Sequence, residues 1–279
     1  PETASVASCF HLLPMVELVD SASPYYVLAL NANGCRFYCA SPLGIEELEL
    51  PPAVVSGLTN SRVASDIEQH LEFHTGTPPS GGARPAVYHG QADKAARHRQ
   101  MLRDYFRTVD RFLQRLAPGN DGRPVVLAGS AYYLPLYREA SSCAHLTDAA
   151  VTGSTEQMDE SELHRRSLVI MRSRRLSRRR QMMEDLGAAL SSGTASTDEA
   201  EVLRSSSEGR VAVLLCASEG HLWGRFDSED GYPEIRPKPE GADEDLINWA
   251  AVRTLRHGGI VHAVESFELP AGAPMAALF

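Results

Sequence analysis

Five arginines recur at every fourth position, Arg99, Arg103, Arg107, Arg111 and Arg115, inside a segment whose apolar residues repeat at intervals of four and three. Leu102, Phe106, Val109, Leu113 and Leu116 mark one buried stripe, which predicts a helix over about Asp93 to Leu116, stopped by Pro118-Gly119-Asn120. On another face the guanidinium groups form a slowly winding row. Like charges at that spacing cost an isolated helix about 0.2–0.5 kcal/mol per pair, so the row calls for acids or phosphates opposite it. Asp104 and Asp110 meet part of that need. The remainder falls either to phosphates of a partner or to acids arriving from elsewhere in the fold.

Immediately before this helix stands His89-Gly90-Gln91, at the end of a Gly- and Pro-rich stretch, residues 74–92, with few apolar residues. No regular element can bury a face there, so a long loop is expected, and loops of that length are either functional or disordered. A second basic segment, Leu163 to Met183, holds eight Arg and no acid, against eight Lys or Arg and three acids between Arg84 and Leu116. The formal net charge is nevertheless −9, so the rest of the chain is strongly acidic. An acidic body with two basic segments repels polyanions in general and attracts them at selected faces, as a selective RNA-side surface would. In the second segment Arg172, Arg175 and Arg179 are candidates for a secondary basic surface; the alternative is an interdomain or surface helix.

The elements that must carry these residues follow an α/β pattern. Tyr25 to Leu30 and Cys35 to Ala40 are runs of β-formers around Asn31-Ala32-Asn33-Gly34, whose Asn-Gly step suits a hairpin turn, and Gly44 to Leu50 adds a third strand. Pro124 to Gly129 reads as a buried strand and Tyr132 to Ala140 as the helix after it. Asp159-Glu160-Ser161-Glu162 starts a long helix to about Leu190. After a polar break and a short helix come the strand Val211 to Cys216, a polar acidic stretch at 218–245, the helix Ile247 to Leu255 and the strand Ile260 to Val264, a second and smaller α/β unit.

At 279 residues the chain has room for two cores. The longest apolar runs, such as Val211 to Ala217, have strand length, so no membrane span is expected. No secretory pattern opens the sequence, and the five cysteines form no CxxC pair, which points to a reducing cytoplasm without a disulfide framework or zinc site. Cys35 and Cys39 fall on one strand face, as small buried hydrophobes. GxxxxGK[ST], GxGxxG after a strand, HExxH and GxSxG are all missing, so nucleotide-driven, zinc-protease and esterase readings lack support and no cofactor is implied.

The ordered set YYVLALNANGCRFY, HGQ, RHRQMLRDYFRTVDRFL and VVLAGSAYYLPLYREA, followed by DEAEVLRSSSEGRVAVLLC and the closing LRHGGIVHAVESFELPAGAPMAALF, resembles the bacterial archaeo-eukaryotic release factor family over about residues 20–279. That family is related to the middle and carboxy-terminal domains of archaeal and eukaryotic peptide-chain release factors and of Pelota. The resemblance implies an arm or remnant over residues 1–20, a ribonuclease-H-like middle domain with a mixed sheet over 21–157, and a smaller α/β domain over 158–279 resembling RNA-binding ribosomal-protein folds. It implies a ribosome-associated factor whose partners are the ribosome or tRNA, with a protein partner possible at the carboxy-terminal domain. In the family a Gly-Gly-Gln loop promotes attack of water on the peptidyl-tRNA ester, the free φ of its tip bringing a backbone amide against the oxyanion. Here Gly90 and Gln91 match and His89 replaces the first glycine, so catalysis, if retained, would be peptidyl-tRNA ester hydrolysis at these residues. The stop-codon-reading domain that precedes the hairpin in release factors has only about twenty residues in its place. The expected role is therefore rescue, hibernation or a related control, or else a protein-interaction module that keeps the fold.

Overall fold

The computed structural model describes residues 11–31, 34–51, 54, 89–116, 122–227, 231–241 and 243–279, without the side chains of residues 20, 89–95 and 116. Two compact units divide the chain: Pro24–Ser173 form one, and Arg174–Phe279 with the segment through Ser23 form the other.

The first unit is built on strands β1 (Tyr25–Leu30), β2 (Cys35–Ser41), β3 (Gly44–Leu48), β4 (Val125–Gly129) and β5 (Leu146–Thr152), in the order β3-β2-β1-β4-β5. The first three pair antiparallel, while β1, β4 and β5 run parallel, so the sheet is mixed. The expected hairpin sets Tyr25 opposite Ala40 and Leu30 opposite Cys35, with residues 32 and 33 of its turn outside the described set.

Strand β1 is buried along its whole length because helices cover both faces of the sheet. Tyr26, Leu28 and Leu30 pack with Leu102, Phe106 and Val109 of helix α2 (His89–Leu116), and with Leu134 and Tyr137 of helix α3 (Tyr133–Ala140). Tyr25, Val27 and Ala29 pack on the opposite face with Leu163 and Met171 of helix α4 (Glu160–Ser192). Period-two alternation along one strand thus feeds two cores. Cys35 is buried and Cys39 half-buried in the core beneath α2, as expected of small hydrophobes. Burial pushes the Cys35 thiol up to about 11, although a hydrogen bond with Tyr105 works against it.

One helix boundary differs from that expected. Helix α2 begins at His89, not Asp93, so His89-Gly90-Gln91 has helical backbone instead of ending a loop. Ala92, Lys94, Ala95 and Ala96 are strong helix formers, and one glycine in the first turn costs at most about 1 kcal/mol. Residues 74–88 of the expected loop lie outside the described residues. The division into compact units, between Ser173 and Arg174, falls within α4. Its 33 residues run unbroken, with Leu163 in one core and Leu186 in another. Helix α1 (Leu13–Ala22) belongs to the second unit, where Leu13 is buried and the Leu12 N–H donates to Asn248 Oδ1 at 2.7 Å.

The second unit holds β6 (Ala195–Ser196), α5 (Glu199–Ser207), β7 (Val213–Ala217), β8 (Trp223–Phe226), β9 (Pro233–Arg236), β10 (Glu244–Asp245), α6 (Leu246–Arg256), β11 (Ile260–Val264) and β12 (Met275–Leu278). Its main sheet has the order β11-β7-β12-β6, with β7 and β11 parallel across α6 as the β, α, β order predicts. The stretch expected to be irregular forms a second sheet, β10-β8-β9. Ion pairs help to hold it, Asp243 taking Arg225 at 3.1 Å and Arg236 at 2.9 Å. A glycine is required on β8, since a Cβ on Gly224 would meet the Glu234 carbonyl oxygen at 2.0 Å. Among the described residues no helix is long and apolar enough to cross a membrane.

Phe106 is fully buried, with its ring 5.6 Å from that of Tyr137. Phe106→Ala is expected to lower the unfolding free energy by about 3–5 kcal/mol in urea titration, and a loss under about 1 kcal/mol would mean that α2 does not pack on the sheet.

Candidate nucleic-acid interface

Helix α2 turns its apolar stripe inward, with Leu102, Tyr105, Phe106, Val109 and Leu113 all buried. Four residues advance about 40° past a full turn, so an i, i+4 row cannot stay opposite that stripe along its whole length. Arg103 lies on the flank that meets α3, and it bonds Glu139 at 2.6 Å with its side chain 35% exposed. Farther along, Arg107 pairs with Asp104 at 3.1 Å, both side chains exposed. Arg111 donates from Nε to the Arg107 carbonyl at 3.4 Å and from a terminal nitrogen to Thr108 Oγ1 at 3.2 Å. Arg99, Arg107, Arg111 and Arg115 are exposed, and none except Arg107 pairs with a carboxylate among the described residues.

Asp110 does not neutralise the row, contrary to expectation. It is 3% exposed and turned toward the end of α3, where it accepts from Tyr137 Oη at 3.3 Å, the Ser142 N–H at 3.0 Å, Ser142 Oγ at 2.9 Å, Gln114 Nε2 at 2.9 Å and Ser141 Oγ. Five donors around one carboxylate make it a clamp between α2 and the segment after α3. Burial, then the neighbouring Asp110, holds the Tyr137 phenol well above its ordinary pKa, so it remains a donor. Neither this clamp nor Glu139 was singled out from the sequence. The available signal is the Glu139-Ala140-Ser141-Ser142 run at a helix end, which reads equally well as an ordinary helix stop.

The secondary basic surface is reduced by internal bonds. Arg179 forms a bidentate pair with Glu268, its Nε at 2.8 Å from Oε1, and Arg175 donates to the Ser21 carbonyl oxygen. Glu268 is held ready by a short helical turn in which it also accepts from the Glu265 N–H at 2.9 Å. Of the three candidates only Arg172 is exposed and has no hydrogen-bond partner among the described residues. His89, Gly90 and Gln91 are placed by backbone alone, in the first turn of the helix that carries the arginines. Among the described residues no three His, Cys, Asp or Glu side chains converge as metal ligands.

A unit built on a mixed sheet and bearing a basic helix is followed in sequence by a second α/β unit. The chain belongs to bacterial archaeo-eukaryotic release factor family 3, whose model matches residues 24–210. Among solved structures it is similar to the Pelota protein of Thermoplasma acidophilum, with 11% identity over 93% of this chain and 65% of that one and a TM-score of 0.31. It is similar also to Pelota of Archaeoglobus fulgidus, with 14% identity over 94% of this chain and 66% of that one and a TM-score of 0.34. An archaeal translation termination factor matches with 14% identity over 95% of this chain and 63% of that one, at a TM-score of 0.27. The chain thus spans 63–66% of the length of these proteins. No curated protein matches the sequence.

Removing the clamp tests whether it positions the helix. Asp110→Ala strands several buried donors and is expected to cost about 3 kcal/mol in urea unfolding. A change within about 0.5 kcal/mol, the range of an ordinary surface substitution, would show that the clamp does not hold α2 to α3.

Proposed function

We propose that this chain is a ribosome-associated translation factor, acting in rescue, hibernation or a termination-like step, which holds ribosomal or transfer RNA by its phosphates on the arginines of α2. The observation that carries this reading is the exposure of Arg99, Arg107, Arg111 and Arg115 on one helix, with a single exposed ion pair among them within the described residues. An exposed pair such as Arg107 with Asp104 is worth about 0–1 kcal/mol, so a phosphate competes for the arginine at little cost. Guanidinium groups suit phosphate through parallel N–H donors, and every such contact releases counterions from the nucleic acid. Membership of a release-factor family supports the setting. Holding rather than hydrolysing fits His89 in place of the family glycine and the helical backbone at Gly90 and Gln91.

Co-sedimentation with ribosomes over a series of salt concentrations tests the grip. Wild-type protein is expected in the pellet at low salt, and the triple change Arg107→Glu, Arg111→Glu, Arg115→Glu is expected in the supernatant. Glu139→Gln releases Arg103 and should shift retention the other way, steepening log affinity against log salt by about 0.7–0.9. Retention indifferent to both salt and these arginines would assign the protein-docking role instead.

A further inference from the structure

A cleft of about 330 Å³ opens in the first unit at the end of the sheet where β4 and β5 begin. Leu113, Val125 and Leu146 give it apolar surface. One wall is layered: Phe37 stacks on Tyr26 at 5.1 Å, and the Arg123 guanidinium lies over the Tyr26 ring at 5.6 Å and donates to its hydroxyl at 3.4 Å. Two groups with hydrogen-bonding capacity face the space between these surfaces. Gln114 is fixed through Nε2, which donates to Asp110 at 2.9 Å and to Ser142 Oγ at 2.6 Å, so its side-chain oxygen is the part left to accept. The His145 ring, also lining the cleft, can donate or accept according to tautomer. Asp110 borders the cleft too, but its oxygens already take five donors, so it presents the wall with little spare acceptor capacity.

We propose that this cleft binds one unstacked nucleobase. A base has two apolar faces and a polar edge, and the cleft offers the complement: the Arg123 guanidinium, backed by the buried Tyr26 and Phe37 rings, for a face, and an acceptor with an imidazole for the edge. An exocyclic amine would donate to Gln114 Oε1, while a ring nitrogen or carbonyl would accept from His145. The volume lies at the small end of ligand cavities, suited to one ring system and not to a whole dinucleotide. None of the row arginines of α2 lines the cleft, so the site stands whether or not that row holds RNA. The base could come from a free nucleotide or from an RNA strand.

Alkylation of Cys143, which lines the cleft and is half-buried, reports occupancy when followed by peptide mass mapping on the full chain. The four nucleoside 5′-monophosphates and a short single-stranded oligoribonucleotide serve as probes, with inorganic phosphate as the control. Protection by a mononucleotide assigns a free-nucleotide site, and protection by the oligonucleotide alone assigns a base within a strand. Ala144 is exposed at the rim, so Ala144→Trp should fill the mouth without changing the melting temperature. It should weaken nucleotide binding, measured by saturation-transfer NMR, by about tenfold or more, the worth of one stacking contact. Equal protection by inorganic phosphate, or none by any nucleotide or strand, would overturn the proposal, as would unaltered binding in Ala144→Trp. The triple change at Arg107, Arg111 and Arg115, none of which lines the cleft, is expected to leave the protection of Cys143 unaltered, so failure of the arginine row and failure of the cleft are read separately.

Discussion

Helix α2 has one apolar stripe to bury, and the sheet offers it one face. Leu102, Phe106, Val109 and Leu113 meet Leu28, Leu127 and Tyr137 there, and this contact fixes the helix's rotation about its own axis. Once rotation is fixed, the fate of each arginine follows from its position. The row advances about 40° for every four residues. Arg103 and Asp110 therefore share the flank facing α3, where one finds Glu139 and the other the hydroxyls of Ser141 and Ser142. Arg107, Arg111 and Arg115 pass beyond that flank into solvent. A helix rotated by one residue would set Arg103, Arg107 and Arg111 where Leu102, Phe106 and Asp110 are buried, at the cost of desolvating charge without a partner.

The same reasoning separates charge that stabilises the fold from charge left for a partner. In α4, Arg165 bonds Glu162 at 2.6 Å, Arg166 donates to the Thr152 carbonyl at 2.8 Å, and Arg175 and Arg179 are engaged at Ser21 and Glu268. Of the eight arginines in that segment Arg179 meets a partly buried carboxylate, while a carbonyl oxygen fixes Arg175 in place and leaves its charge. In the first basic segment one of the three acids, Asp110, faces inward, away from the exposed arginines. Net charge counted along a sequence treats the two alike, whereas partner geometry makes them unlike.

Much of the architecture could be read in the residues. Asn-Gly between alternating β-formers gives the hairpin, PVVLAG gives the central parallel strand, and the four-and-three spacing gives α2. Elements whose stability lies outside their own pattern were not legible. Strands β8, β9 and β10 are two to four residues long and lean on Arg225, Arg236 and Asp243, so their sequence reads as polar turn. Glycine 224, which looks like a strand breaker, is there because the Glu234 carbonyl approaches too closely for any side chain. Asp110 looked like a surface acid because its burial depends on the two serines after α3, which no local period reveals. Helix α2 starts four residues before the expected place because the alanines after Gly90 favour helix, although residues 74–92 as a whole are rich in Gly and Pro.

That corrected start has a mechanical consequence. Gln91 lies eight residues before Arg99 and twenty-four before Arg115 on one unbroken helix, which sets them about 12 Å and 36 Å apart along a common axis. A glutamine on a pliant loop can reorient while its neighbours hold a partner, whereas backbone within a helix moves with the rod. Any surface gripped by Arg107, Arg111 and Arg115 therefore dictates where Gly90 and Gln91 are delivered, and the buried stripe that sets α2 against the sheet dictates both. The backbone position of the tripeptide is then set by the core and by the Asp110 clamp at the far end of the helix. Changes there would redirect residues that they never touch.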